Sequence, residues 1–314
     1  IGRAAFLSYR TDLDATCPWD EGNYGVKDNA AGQAYYDSMM KLYAGWGLDF
    51  IKVDCISDHP YRPTEIRQIA EAIRKSGRPV VLSLSPGPTS LTHAAEVAKY
   101  AQMWRITDDH WDVWKAEHKG TSEFPFGIRD AFDRLAEWAP YVKSGSWPDD
   151  DMLPWGALTP HPGWGDPRQS RETQEEQRTE FTLWAISRSP LIVGANLTRL
   201  DDFTRSLMTN KEVLDLNQNA VESGPGLMPM RDGKKDDFPE RFWYARTGGI
   251  HGKIYLAVFN LEDKRTSSAL PWPIFHVSDK PHAVYDVWNH KRSLRSRALH
   301  VDLAPHGCAL FRLE

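Results

Sequence analysis

The sequence predicts a parallel α/β, barrel-type portion followed by a small antiparallel β domain. Three observations point there. From residue 30 to about 217, short apolar runs alternate with amphipathic helical patterns. After residue 220 the helical period disappears, and short alternating runs punctuated by turn residues take its place. The third observation is length. A complete (β/α)8 barrel takes about 250 residues and this region supplies fewer than about 220, so about five of eight βα units are expected.

The elements follow in order. Gly32–Gly45 carries Tyr35, Met39, Leu42, Tyr43 and Trp46 at helical spacing, and Phe50–Asp54 follows as a strand after the stop at Gly47. Pro63–Lys75 reads as a helix with Ile66, Ile69, Ala70 and Ile73 on one face, closed by Gly77. Pro79–Ser85 is a buried strand and Leu91–Tyr100 a helix. Gln102–Thr107 is a strand and Ile128–Trp138 a helix. Trp147–Pro154 is a strand end and its loop, with the strand itself set near 150–154. Thr173–Ser187 is a helix, Pro190–Ala195 a buried strand, and Leu200–Leu216 mostly helical. An open doubly wound sheet is the rival fold, weakened because no glycine-rich phosphate loop follows the first strand. Beyond these elements, Ser223–Pro239 is rich in Gly, Pro and charge. Five strands are then expected at Arg241–Arg246, Lys253–Phe259, Ala283–Trp288, Ala298–Leu303 and Cys308–Leu313. The expected division is therefore 1–222 barrel portion, 223–239 linker and 240–314 β domain.

Composition excludes some functions. A net charge of -5 supplies no basic footprint for nucleic acid and no polybasic stretch for an anionic membrane. No apolar run reaches the roughly 18–20 residues of a membrane span. Three cysteines, Cys17, Cys55 and Cys308, are too few for a disulfide framework or a zinc site. One disulfide is possible, and the sequence does not choose its pair. Thirteen tryptophans either fill the core or offer flat faces on which sugar rings stack.

In a parallel barrel the reactive groups sit at the C-terminal ends of strands. Here one strand ends in Asp54, a second in Asp108 and Asp109, and a third runs into Asp149, Asp150 and Asp151. A single such acid is most simply a helix cap. Acids on three strands are costly to gather unless a substrate is acted on, and a carboxylate pair is what glycoside hydrolysis needs. Strand period places Phe50, Lys52 and Asp54 on one face, so a buried Lys52 ammonium is expected beside Asp54, keeping it ionised. Arg105 is a second cation nearby. Asp149 to Asp151 lack the ligand spacing of a divalent cation site, and the eleven histidines show no paired metal spacing, so no metal and no cofactor is expected. His59, His93 and His110 either line the cleft or lie on loops. Asn196-Leu197-Thr198 matches a glycosylation sequon just beyond a buried strand, where the plain structural reading is preferred.

The segments GLDFIKVDC, WRITDD, WPDDDML, LWAISRSPLIVGANL and NKEVLDLNQ, in this order over roughly residues 22–220, resemble the melibiase family of α-galactosidases, glycoside hydrolase family 27. The tail APHGCALFRL resembles that family's C-terminal β-sandwich. The resemblance implies a (β/α)8 barrel plus sandwich that removes terminal α-D-galactosyl residues with retention, from galactose-containing oligosaccharides or polysaccharide side chains. It implies Asp54 as nucleophile and Asp109 as general acid/base, with Lys52, Arg105 and Asp151 binding substrate. Ser85 stands where the family's galactosidases carry a bulky acid and where members accepting a 2-acetamido sugar tend to have serine. An α-N-acetylgalactosaminidase or a β-L-arabinopyranosidase with the same pair is therefore the enzyme alternative, and a non-catalytic carbohydrate-binding fragment is the other. The family's first three strands have no counterpart in the sequence, so an N-terminally truncated enzyme is expected. The isolated chain should then fold poorly and be inactive, and the full-length parent should be secreted or periplasmic.

Overall fold

A computed structural model describes residues 9–117, 123–159, 165–227, 230–231, 234–235, 240–248 and 252–314. The chain forms two compact units, residues 1–108 with 145–149, and residues 109–144 with 150–314.

The first unit opens with an antiparallel hairpin, β1 (Thr11–Cys17) and β2 (Asp20–Val26), turned at Pro18-Trp19. Helix α1 (Ala30–Gly45) starts where the Asn29 side chain accepts from the Gly32 N–H, satisfying one of the free donors of its first turn. Strand β3 (Phe50–Val53) follows. Helix α2 (Pro63–Ser76) has proline in its first turn and ends at Gly77, whose φ of 78° suits a residue without a Cβ. Its buried Ile66 and Ile69 contribute about 1.5–3 kcal/mol each as they leave water. After β4 (Val81–Leu84), the stretch read as one helix from Leu91 begins as a 3-10 turn capped by Ser90. It becomes α3 only at Ala94–Tyr100. Strands β5 (Met103–Arg105) and β6 (Trp147–Asp149) complete a parallel sheet of order β3-β4-β5-β6. Leu82, Leu84 and Trp104 on its central strands are fully buried.

The fourth strand lies at 147–149, earlier than the expected 150–154. Asp151 takes a φ of 79°, and that left-handed residue turns the chain out of the sheet.

In the second unit, α4 (Ile128–Trp138) spans the expected residues. One short antiparallel pair, β7 (Ala157–Leu158) with β8 (Arg168–Gln169), precedes α5 (Gln174–Ser187), which opens on a capping box between Thr173 and Glu176. The run Pro190–Ala195 forms no full strand. It is tied to its neighbour by one parallel bridge, Leu153 to Val193. Leu200–Leu216 divides into α6 (Asp202–Met208) and α7 (Lys211–Asn219), because the Asn210 side chain caps a new helix start.

The β domain follows. Strand β9 (Ala220–Pro225) takes up the first residues of the stretch that composition marks as linker. After the short pair β10 (Met230–Arg231) and β11 (Lys234–Lys235) come β12 (Glu240–Thr247), β13 (Ile254–Asn260), β14 (Thr266–Pro271), β15 (Val284–Asp286), β16 (Lys291–Arg292), β17 (Ala298–Leu303) and β18 (Cys308–Leu313). A six-stranded sheet β16-β15-β18-β13-β12-β9 and the pair β14-β17 enclose a core that includes Phe242, Leu256, Leu270, Trp272, Phe275 and Phe311. Strand alternation explains that core: Leu299, Val301 and Leu303 point inward while His300 and Asp302 point out. Strand β13 is buried on both faces, since α5 packs against it on the side away from this core. No helix among the described residues is long and apolar enough to cross a membrane.

Candidate active site

Register builds the site in the first unit. Val53 pairs with Leu84, Leu84 with Trp104, and Arg105 with Asp149. The positions at or just past these strand ends, Asp54, Ser85, Arg105 and Asp149, therefore form one row along the C-terminal edge of the sheet. Lys52 and Asp54 share a face by strand period. Ser85 is buried and its N–H donates to the Val53 carbonyl at 2.9 Å, while its own carbonyl accepts from Ile56 N–H at 3.2 Å. The loop after β3 is thus pinned to the loop after β4. Beyond Ser85, a Cβ on Gly87 would lie 2.0 Å from the Thr107 carbonyl oxygen, so only glycine lets the β4 and β5 loops approach this closely. Arg105 is buried and donates to the Thr107 carbonyl at 3.2 Å.

Lys52 differs from the sequence expectation. It is exposed, as is Asp54, because β3 is the edge strand of the described sheet and no described strand pairs with its outer side. Both residues line a cleft of about 400 Å³ with Trp19, Tyr36, Cys17 and Cys55. Cys17 and Cys55 form a disulfide that ties the hairpin to the residue after Asp54, and Cys308 is free and buried. The Trp19 indole N–H donates to Asp54 Oδ2 at 3.2 Å. Tyr36 donates to Glu65 at 2.7 Å in the same cleft, and burial raises the Glu65 carboxyl above its ordinary range.

In the second unit Asp109 is half-buried. Its carbonyl accepts from Phe126 N–H at 2.9 Å, and the next N–H, that of His110, donates to Asp151 Oδ2 at 2.9 Å. Asp151 is held in turn by Trp184, whose indole N–H donates to its carbonyl at 3.0 Å. The buried His110 ring donates from Nε2 to Glu180 Oε1 at 2.6 Å, and Trp155 donates to the other Glu180 oxygen. Glu172 lies against this group, with one possible ligand atom each of His110, Glu172 and Glu180 within 4.8 Å of one another. Burial first, and the Glu180 charge next, push the Glu172 carboxyl well above its ordinary range, which favours its protonated form. A bound proton thus relieves the repulsion between two buried carboxylates, and both Glu180 oxygens are already taken by N–H donors.

Sequence reasoning selected Lys52, Asp54, Ser85 and Arg105, which the structure gathers on one sheet edge. It also selected Asp109 and Asp151, which the structure joins through His110. It missed Trp19, the Cys17–Cys55 pairing, and the Glu172–Glu180 pair. The last left no signal in the sequence, because residues 172–180 are polar or charged throughout.

A parallel barrel-type sheet whose strand ends gather acids and cations, together with a C-terminal β-sandwich, defines the class of barrel glycoside hydrolases. The alpha galactosidase A family model matches residues 13–219, and that of the alpha galactosidase C-terminal beta sandwich domain matches residues 242–313. The chain belongs to this melibiase-type α-galactosidase family, glycoside hydrolase family 27, and has its (β/α)8 barrel fold in part. It is similar to the crystal structure of a β-L-arabinopyranosidase from Geobacillus stearothermophilus, with a TM-score of 0.85 and 36% identity, covering 97% of this chain and 67% of that one. It is 26% identical over 301 residues to alpha-galactosidase A of Cellvibrio japonicus, covering 92% of this chain and 68% of the relative. It is 28% identical over 280 residues to alpha-galactosidase 2 of Arabidopsis thaliana, covering 87% of this chain and 62% of the relative. The chain thus spans about two thirds of the length of these relatives, between 62% and 68%.

Proposed function

We propose that the protein is a retaining exo-glycoside hydrolase acting on a terminal sugar of α-D-galactose ring configuration. The observation that carries this reading is Asp54 at the C-terminal end of β3, in a cleft with Lys52, within the family's K-x-D strand. In the first step an Asp54 oxygen bonds to the anomeric carbon while the glycosidic C–O bond breaks, and Asp109 gives its proton to the leaving oxygen. In the second step Asp109 takes a proton from water, whose oxygen bonds to the anomeric carbon and releases Asp54. Two inversions leave the configuration retained. Lys52, Arg105, Ser85 and Asp151 bind the sugar hydroxyls in this reading, and the substrate is a galactose-containing oligosaccharide or polysaccharide side chain. No cofactor takes part in this chemistry.

Two sugars fit. α-D-galactose is the family's general substrate, and β-L-arabinopyranose matches it apart from the C6 group. The 36% identity to a β-L-arabinopyranosidase, against 26% and 28% to the two α-galactosidases, supports the arabinopyranoside as the preferred one. Comparing kcat/KM of the full gene product on nitrophenyl α-D-galactopyranoside, β-L-arabinopyranoside and α-N-acetylgalactosaminide tests this. Preference for the third would instead make Ser85 the residue that admits a 2-acetamido group. The Cys17–Cys55 disulfide supports an oxidising compartment, secreted or periplasmic.

A further inference from the structure

We propose that Trp19 is a positioning residue for Asp54, holding one oxygen of the carboxylate so that the other meets the anomeric carbon. The inference rests on reading Asp54 as the nucleophile.

A carboxylate nucleophile attacks with one oxygen, and free rotation of the group would spread that oxygen over many directions. The Trp19 N–H on Oδ2, at 3.2 Å, removes this freedom and leaves Oδ1 as the attacking atom. Local covalent structure makes the contact rigid. Cys55 directly follows Asp54, its partner Cys17 lies two residues before Trp19, and Pro18 between them has its φ fixed by the ring. The path Asp54–Cys55–Cys17–Pro18–Trp19 is therefore a short covalent loop, and the indole hydrogen bond closes it. Arg62 steadies the hairpin from outside, donating to the Thr16 carbonyl at 2.8 Å. Packing does not account for the Trp19 side chain, which is 50% exposed and meets the His59 ring edge-on at 6.4 Å. What it does touch is the carboxylate.

The test uses Trp19→Phe and Trp19→Tyr in the full gene product, since both keep a ring and lose the indole N–H. The readouts are kcat, the inhibition constant of the released monosaccharide, and the rate of covalent inactivation by a 2-deoxy-2-fluoro glycoside. Both variants should lose about 10–100-fold in kcat and in inactivation rate, in the range of one preorganised hydrogen-bond donor or somewhat less. The inhibition constant should stay within about twofold, because sugar binding does not need the N–H. A kcat within about twofold of wild type in either variant overturns the proposal. So does a loss matched by an equal weakening of monosaccharide binding, which would make Trp19 a sugar contact. Mass spectrometry of the inactivated wild type separates this from the underlying reading: a label on a residue other than Asp54 removes the nucleophile assignment, whatever the variants do.

Discussion

His110 and Glu180 are both wholly buried, and His110 Nε2 donates to Glu180 Oε1 across 2.6 Å. The pair anchors the peptide that follows Asp109, because the same His110 also donates its backbone N–H to Asp151. Removing one member leaves the other without its partner in a dry interior, together with the Trp155 N–H that Glu180 also accepts. Glu180→Ala should cost about 3–5 kcal/mol, read as a lower urea midpoint in equilibrium unfolding of the full gene product. A loss under about 1 kcal/mol would show that water fills the gap and the pair contributes little.

Glu172 makes a prediction about pH. Its folded pKa is raised above the ordinary 4.5, by burial first and Glu180 next. The folded state therefore holds a proton that the unfolded state releases above that value. The resulting stability is fully present below about pH 4.5 and is lost progressively as pH rises toward the folded pKa. Glu172→Gln keeps a neutral side chain of the same shape and removes this dependence. Over a range from pH 5 to 8 the variant's melting temperature should gain on wild type as pH rises, up to the folded pKa of Glu172. A constant difference across that range would mean Glu172 is ionised in the folded protein.

The disulfide closes a loop of sequence separation 38. Replacing both cysteines, Cys17→Ser with Cys55→Ser, should lower stability by about 2–4 kcal/mol. Through the Trp19 contact it should also lower kcat by more than it changes monosaccharide binding. Thermal melts and steady-state kinetics on the same preparation check both, and unchanged kcat in a folded double variant would detach the clamp from catalysis.

Sugar preference offers a fourth check. If β-L-arabinopyranoside is the better substrate, its kcat/KM should exceed that of the α-D-galactoside by about tenfold or more, the scale on which a pocket discriminates a single small group. A reversed ratio returns the protein to the galactosidases.

Much of the fold was legible, and the reasons are local. β17 and β18 lie on their expected residues because alternation leaves only one register that hides Leu299, Val301 and Leu303. β14 was not legible, since Thr266-Ser267-Ser268 offers little apolar contrast until it pairs with β17. The apolar run Pro190–Ala195 looked like a strand, yet its pairing is a single bridge at Val193, which no local pattern foretells. In the site, Asp54 stood out because a strand ends on it. The exposure of Lys52 did not, since an edge strand and a central one read alike when both carry Ile and Val. Trp19 and Glu172 were invisible for a different reason: their importance lies in partners 35 residues away in one case and across a helix start in the other.

The most direct test of the central claim is covalent trapping of the nucleophile. The full gene product is inactivated with a 2-deoxy-2-fluoro glycoside of the preferred sugar, digested, and its peptides sequenced by mass spectrometry. The expected result is one glycosylated peptide carrying the label on Asp54, with no label on an Asp54→Asn variant. A label on Asp109, on Asp151 or on any other carboxylate would contradict the assignment, and time-independent inhibition with no label at all would contradict a retaining mechanism.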